Sequence, residues 1–415
     1  MRATRRAVAF GIAAAALAGC AGGSIGSAGG AGAARPAEPE WIPAPNPGFD
    51  AWVAGFRGRA LAQGIAPATF ERAFAGAGFL PAVIERDRKQ TEFTRTLEDY
   101  LAIAASEERV GKGRAALARY RPTLDAIEAR FGVESNVVVA VWGLESFYGE
   151  RQGTAPVISS LATLAYEGRR GSFFESQLVA ALRIVQNGDI APERMTGSWA
   201  GAMGHTQFIP TTFLAYAVDF TGDGRRDIWS ADPTDALASA ANYLAKSGWR
   251  RGQPWGVEVR LPSGFSGPLG RGTTRSPSAW AAAGVRGVDG RPVPDYGPAS
   301  ILQPQPGGPG FMVFPNFGVI LRYNNSVNYA IGVGHLSDRL AGGAPVQGSF
   351  PPDANGLTIA DRRELQRRLT AAGFDTQGAD GVIGDNTRTA ISAWQAQQGY
   401  SVTGEPSQQI LAALR

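Results

Sequence analysis

The chain has 415 residues, 44% of them hydrophobic and 18% charged, and its 40 basic and 36 acidic side chains leave a formal charge of +4. That length calls for about two to three folding units, and the interspersed charges exclude a nucleic-acid surface built on a basic block. One cysteine and two histidines exclude a disulfide framework, a cysteine-based zinc site and a histidine-cluster metal centre.

At the N-terminus Arg2, Arg5 and Arg6 precede an apolar run from Ala7 to Leu17, which leads into Leu17-Ala18-Gly19-Cys20. A basic start, an apolar segment too short to span a bilayer and small residues before a cut describe an export signal over residues 1–19. The last four residues resemble the bacterial lipobox, which implies cleavage ahead of Cys20 and a lipid on its thiol, hence a membrane anchor. Ordinary cleavage in the Ala/Gly stretch beyond is the alternative. Loss of the three arginines would bring the charge from +4 to +1. Ala21, standing where an aspartate could follow the acylated cysteine, favours the outer membrane in an organism that has one. Residues 20–47, rich in Gly, Ala, Ser and Pro, cannot bury enough surface to fold and read as a tether.

Helical spacing runs from about Phe49 to Trp249, as in Phe70 with Phe74 and in Phe93, Leu97 and Leu101. From Trp255 to Asn316, short apolar pieces such as Val257-Glu258-Val259 lie among Gly/Pro clusters and predict small strands and loops. A helix returns over Ser326–Leu340, a Gly/Pro/Ser linker follows over 342–356, and residues 357–415 form a last unit. Between Asn136 and Gly149 a nearly unbroken apolar helix carries one carboxylate, Glu145, near its end. Burial disfavours a charged carboxyl and makes it able to donate a proton near neutral pH. A structural ion pair or backbone cap is the competing role. Glu134 and Glu150 read as surface charges.

Trp142-Gly143-Leu144-Glu145-Ser146, followed by Tyr148-Gly149, resembles the catalytic glutamate motif of lytic murein transglycosylases, the membrane-bound B-type family in particular. The segment from Gly197 to Pro210 agrees, as do Ala241-Asn242-Tyr243-Leu244, Ser247-Gly248-Trp249, Asn316-Phe317, Ile320 to Asn324, and Ser326 with Tyr329-Ala330. Upstream, Asp87-Arg88, Gln90 and Glu92-Phe93 fit the same family. The resemblance implies a mostly α protein, with a lysozyme-like α+β catalytic domain and a small β-rich insert over residues 48–341. It implies one glutamate where ordinary glycosidases use two carboxylates: neutral Glu145 protonates the bridging oxygen of the MurNAc–GlcNAc bond, then takes the proton of the sugar's C6 hydroxyl as a 1,6-anhydro ring closes. No cofactor enters this chemistry. By family position Tyr323 and Ser198 would hydrogen-bond around Glu145, Gln207, Tyr243 and Asn324 would line the sugar subsites, and Arg169 and Arg170 would meet glycan or peptide carboxylates. His205 reads as a groove-lining residue without acid–base duty. The partner would be peptidoglycan glycan strands, met by a lipid-anchored, periplasm-facing enzyme. A hydrolytic muramidase and an inactive wall-binding lipoprotein are the alternatives.

Asp219, Thr221, Asp223 and Asp227, with Gly224 between them, place oxygen ligands and a glycine as a calcium loop does, with Arg225 offering its carbonyl. Ser230 stands where such a loop has its closing glutamate, so Asp235, or else Asp232, would close a structural calcium site; a metal-free acidic turn is the alternative. In the last unit, Leu365-Gln366 with Leu369, Asp380-Gly381-Val382-Ile383-Gly384, and Ile391 with Trp394-Gln395 predict helix, turn, helix. This looks like the small three-helix peptidoglycan-binding domain, with a degenerate second turn, Val402-Thr403-Gly404-Glu405, lacking the aspartate. Asp380 and Trp394 are its candidate wall contacts, a core position being the competing reading of Trp394.

Overall fold

The computed structural model describes residues 41–89 and 95–415. The export signal, Cys20, most of the tether, and the motif residues Gln90, Glu92 and Phe93 lie outside the described residues.

Prolines start many of the helices, where a missing N–H costs nothing and φ is already set. They open α1 (Pro47–Ala62), α2 (Pro67–Phe74) and α3 (Pro81–Arg88), and the Asn46 side chain caps α1 by accepting from the Phe49 amide. Thr96 caps α4 (Leu97–Ala104) in the same way through Asp99, and α5 (Glu107–Arg119) and α6 (Arg121–Phe131) follow. Next come α7 (Ser135–Ser146), β1 (Ala155–Pro156), α8 (Val157–Glu167), α9 (Gly171–Gln186), β2 (Thr196–Gly197), α10 (Pro210–Tyr216) and α11 (Thr234–Lys246). The strand-rich region predicted after Trp255 holds β3 (Gly256–Arg260), α12 (Pro277–Ala282), β4 (Arg286–Gly287), β5 (Ser300–Leu302) and β6 (Gly310–Val313). Then α13 (Pro315–Tyr323) and α14 (Val327–Leu340) precede α15 (Ile359–Ala371), α16 (Asp385–Gln397) and α17 (Gln408–Ala413). Among the described residues no helix is long and apolar enough to cross a membrane.

The described chain divides into two compact units. Residues 41–89 and 113–249 form the first. Its centre is the pair α8 and α9, against which α1, α2, α3 and α10 pack, while α6 and α7 lie on α11. The two-residue ribbon of β1 and β2 pairs Ala155 with Gly197, and so draws the chain following α7 onto the segment that begins at Thr196.

Residues 95–112 and 250–415 form the second unit. Its antiparallel sheet has the order β4-β3-β6-β5, with Val257 opposite Met312 and Ile301 opposite Met312 on the other side. Trp280, Val285, Ile301, Met312 and Phe314 fill the core behind it. α14 packs on α13 and α4. The last three helices enclose Leu365, Leu369, Ile391, Trp394 and Leu411. Trp394 is 4% exposed and stacks on Tyr400 at 5.2 Å, so it is a core residue here, not a free wall contact.

Two glutamines fasten the turns of this C-terminal part. Gln366 accepts from the Gly381 amide at 2.7 Å and donates to the Val382 carbonyl at 3.0 Å, while Asp380 Oδ1 accepts from the Val382 amide at 2.8 Å. Gln395 accepts from the Thr403 and Gly404 amides, both at 2.9 Å, and Thr403 Oγ1 accepts from the Glu405 amide at 3.2 Å. The threonine thus does at the second turn what Asp380 does at the first.

Arg362, 4% exposed on α15, joins these helices to the rest of the unit. Its guanidinium lies 2.8 Å from Glu98 and 2.9 Å from Asp99 on α4, and 3.5 Å from Asp353 in the preceding segment. That segment is pinned again where Glu258 on β3 accepts from the amides of Gln347 and Gly348, at 2.9 and 2.6 Å.

Candidate active site

Every residue of α7 from Val137 to Ser146 is buried, which explains why its sequence is apolar all round instead of on one stripe. Glu145 is the one ionisable exception, with the polar Ser146 beside it: it is 4% exposed, one residue from the helix end. The helix stops because three consecutive residues take left-handed backbone, Phe147 at φ 52°, Tyr148 at 61° and Gly149 at 88°. Two of them carry side chains, a conformation that costs about 1 kcal/mol or more at each and persists only when its surroundings impose it. Here Ser146 Oγ accepts from the Gly149 amide at 3.0 Å and donates to the His205 carbonyl at 2.6 Å. Gly149 is required twice over, by its φ and by space: a Cβ there would lie 2.4 Å from the His205 ring.

The segment facing this turn is a tight double loop. The Ser198 amide donates to the Ala202 carbonyl at 2.7 Å, and Ser198 Oγ accepts from the Ala202 amide at 3.0 Å. The hydroxyl therefore builds its own turn and keeps its proton for another acceptor. Gln207 is also held in left-handed backbone, φ 51°. Its side-chain nitrogen donates to the carbonyls of Gln152 at 2.9 Å and Gly204 at 2.8 Å. Both amide protons are thus spent on backbone, and Oε1 is the atom left to meet a ligand donor.

His205 departs from its sequence reading. It is 4% exposed and its ring is held on both nitrogens; Trp142 Nε1 donates to its Nδ1 at 3.1 Å, and its Nε2 lies 2.7 Å from the Ser230 carbonyl. Burial lowers its pKa, against the opposing pull of the Ser230 carbonyl and of Asp227 and Asp232. Glu134 departs as well. It is half-buried before α7 and accepts from Trp249 Nε1 at 2.7 Å, a contact between residues far apart in sequence that no local pattern announces. Glu150 is exposed, as expected.

Tyr243 is half-buried on α11, 4.7 Å from the Tyr216 ring and 6.0 Å from Phe208. Arg169 and Arg170 both turn toward the buried carboxylate of Asp87, at 2.7 and 3.6 Å, and Arg170 also lies over the Phe174 ring at 5.0 Å. Their guanidiniums are therefore oriented rather than freely solvated. Glu145, Ser198, Gln207, Tyr243 and the two arginines belong to the first unit. Tyr323 and Asn324, half-buried and buried at the end of α13, belong to the second.

In the acidic loop, Asp219, Asp223 and Asp235 bring carboxylate oxygens within 4.8 Å of one another. Asp235, 2% exposed at the start of α11, also accepts from the amides of Phe220, Thr221 and Asp227. Desolvation would raise the Asp219 pKa, but the amides of Gly224 and Gly222, the Thr221 hydroxyl and the Asp223 amide outweigh it and hold the carboxyl below its ordinary value. Asp227 is spent on the amides of Trp229 and Ser230, and Asp232 on Thr234. The ninth-position aspartate thus faces its own turn, and of the two candidate closing residues Asp235 joins the cluster. Three converging carboxylates are the hard oxygen donors that calcium takes. Arg225, 3.4 Å from Asp223, is the competing cation.

Residues 48–338 match the family model of the transglycosylase SLT domain, and residues 358–414 match that of a peptidoglycan binding domain. Membrane-bound lytic murein transglycosylase B of Escherichia coli is 34% identical over 232 residues, 54% of this chain and 61% of that protein, so the chain spans less than two thirds of this relative. SltB3 from Pseudomonas aeruginosa, in complex with NAG-NAM-pentapeptide, is 51% identical with a TM-score of 0.72, over 89% of this chain and 100% of that one. It has also been solved with NAG-anhNAM-pentapeptide. The Escherichia coli lytic transglycosylase Slt35, in complex with calcium, is 29% identical with a TM-score of 0.62, over 71% of this chain and 93% of that one. The chain belongs to the lytic transglycosylase family of the SLT domain type, and it carries a C-terminal peptidoglycan-binding domain.

Proposed function

We propose that the chain cleaves the MurNAc–GlcNAc β-1,4 bond of peptidoglycan and leaves 1,6-anhydro-MurNAc ends, with Glu145 acting first as acid and then as base. Protonated Glu145 gives its proton to the bridging oxygen as the C1–O bond breaks. Its carboxylate then accepts the C6 hydroxyl proton as O6 bonds to C1, so Glu145 ends as it began and no water is consumed. The ring closure is intramolecular, and a bound, oriented sugar gains strongly from that. The substrate's acetamido group would support the oxocarbenium-like centre in place of a second carboxylate. The observation that carries this reading is a carboxylate 4% exposed at the end of an otherwise apolar helix, in a chain half identical to a protein crystallised with an anhydro-sugar peptide.

Around it, Ser198 would donate its unused proton toward Glu145 or the leaving oxygen, with Tyr323 in a like role. Gln207, Tyr243 and Asn324 would line the sugar subsites, and Arg169 and Arg170, oriented by Asp87, would meet anionic groups of the strand. The working division is a catalytic domain over 48–341, a linker over 342–356 and a wall-binding domain over 357–415. Asp219, Asp223 and Asp235, with Thr221 and the Arg225 carbonyl, would hold a structural calcium that stiffens the loop without entering the chemistry. Acylation of Cys20 would hold the enzyme on a membrane facing the periplasm, the outer membrane by the residue that follows it.

Digestion of purified sacculi followed by mass spectrometry of the muropeptides tests this. Anhydro ends are expected, and Glu145→Gln should cut the rate by about 10³-fold while wall binding persists. Reducing ends would instead make the chain a hydrolytic muramidase, and unchanged digestion by Glu145→Gln would remove Glu145 from the chemistry.

A further inference from the structure

One residue bonded to the helix that carries Glu145 has no part in the chemistry proposed above. His205 uses four groups. Its amide donates to the Ile228 carbonyl at 2.9 Å, its carbonyl accepts from Ser146 Oγ at 2.6 Å, Nδ1 accepts from Trp142 Nε1 at 3.1 Å, and Nε2 faces the Ser230 carbonyl at 2.7 Å. An indole N–H can only donate and a carbonyl can only accept, so the partners fix the ring as the neutral Nε2–H tautomer. Gln152 Nε2, 3.3 Å from the same ring nitrogen, then donates to the Gly149 carbonyl instead, also at 3.3 Å.

The residues that His205 joins are informative. Trp142 and Ser146 stand three residues before and one residue after Glu145 on α7, and Gln207 lies two residues beyond His205. Ile228 and Ser230 belong to the return of the acidic loop, between Asp223 and Asp235. We propose that His205 is a positioning residue: as a neutral imidazole it fixes the end of α7 that carries Glu145 against the Gln207 loop, and it ties both to the acidic loop. The inference rests on Glu145 as the proton donor. The ring cannot bear this load when protonated, because Nδ1–H would face the Trp142 N–H, two donors with no acceptor between them. Burial favours the neutral form; the groups that oppose it are Asp227, Asp232 and the Ser230 carbonyl.

His205→Phe keeps a ring of similar size without either nitrogen. It should lower kcat for sacculus digestion by roughly 10- to 100-fold, the scale of a misplacement of about 1 Å, with KM little changed. His205→Asn, whose side-chain oxygen can stand under Trp142 Nε1 as Nδ1 does, should restore most of that loss. A fall in thermal stability with kcat unchanged in His205→Phe, or an Asn variant no faster than Phe, would overturn the proposal. A second measurement needs no variant of His205. The chain has only two histidines, so ¹⁵N–¹H correlation of the full-length protein gives two imidazoles, separated by His335→Gln. The Nε2–H tautomer is expected for His205 at pH 8, as its two ring partners require; an Nδ1–H or charged ring there would refute the assignment. Should the wild-type chain release no anhydro product, the proposed activity fails while the tautomer still reports on the strut.

Discussion

Arg362→Leu removes the cation that joins α15 to α4, and the structure sets the size of the effect. Breaking a buried ion pair by deleting one partner costs about 3–5 kcal/mol, because the other charge is left unpaired. Two features place this case near the lower end. Arg362 Nε is buried with no acceptor among the described residues, a loss that leucine abolishes. Asp99 and Asp353 keep 20% and 18% of their side-chain surface and can recruit water. Glu98 cannot: desolvation already holds its pKa above the ordinary 4.5, with Arg362 pulling the other way. A carboxyl whose folded pKa is raised contributes stability that is whole below its unfolded value and lost as pH climbs through its folded value. Deleting Arg362 lifts that folded value further, so the penalty is largest near neutral pH and shrinks as pH falls toward 4.5. Hydrogen exchange reads it locally, at the Gln347 and Gly348 amides held by Glu258 and at the Leu357 amide, 3.0 Å from Asp353. About 3 kcal/mol corresponds to roughly 100-fold faster opening at neutral pH. Variant and wild-type rates that agree there, or a ratio that does not fall in acid, would refute the reasoning.

His335 is 8% exposed, and burial with the Arg339 charge beside it pulls its pKa down to about 4. The folded value lies below the unfolded 6.5, so its contribution is whole above 6.5 and lost as pH falls through 4; the span amounts to about 3 kcal/mol. His335→Gln should flatten the melting temperature against pH over that interval, and a slope equal to wild type would contradict it. Calcium should raise the melting temperature in proportion to the logarithm of free ion, by about 2.7 kcal/mol at a hundredfold excess over Kd. Asp223→Asn should abolish that rise and leave metal-free melting within about 0.5 kcal/mol of wild type; a retained response would place the ion elsewhere. Gln395→Leu strands the Thr403 and Gly404 amides and should cost the C-terminal helices about 2–3 kcal/mol, which calorimetry of the full chain would detect; an unshifted transition would show that the clamp is dispensable.

Local chemistry was legible before the fold. The apolar run around Glu145 announced a buried helix, and the Gly/Pro clusters after Trp255 announced short strands, because burial and turn formation act over a few residues. Contacts between distant segments escaped. Glu134 looked like a surface charge until the fold brought Trp249 to it, and His205 looked like groove lining until Trp142 and Ser230 closed on its ring. Asp87 mattered as a motif position, yet its hold on Arg169 and Arg170 depends on how α3 lies on α8. The acidic loop was half legible: its spacing suggested Asp219, Asp223 and the closing Asp235, which do converge, whereas the ninth-position Asp227 accepts from the amides of its own turn.

The paired glutamines of the C-terminal helices reveal an internal repeat. Gln366 and Gln395 each follow a large apolar residue on a helix and each grip the backbone of the turn beyond, so the three helices contain one helix-and-turn unit used twice. A search keyed to Asp-Gly sees a single copy, because Thr403 stands before Gly404 in the second where Asp380 stands before Gly381 in the first. At each turn one side-chain oxygen accepts from the amide two residues on, from Asp380 or from Thr403, while the glutamine grips the backbone of the whole turn.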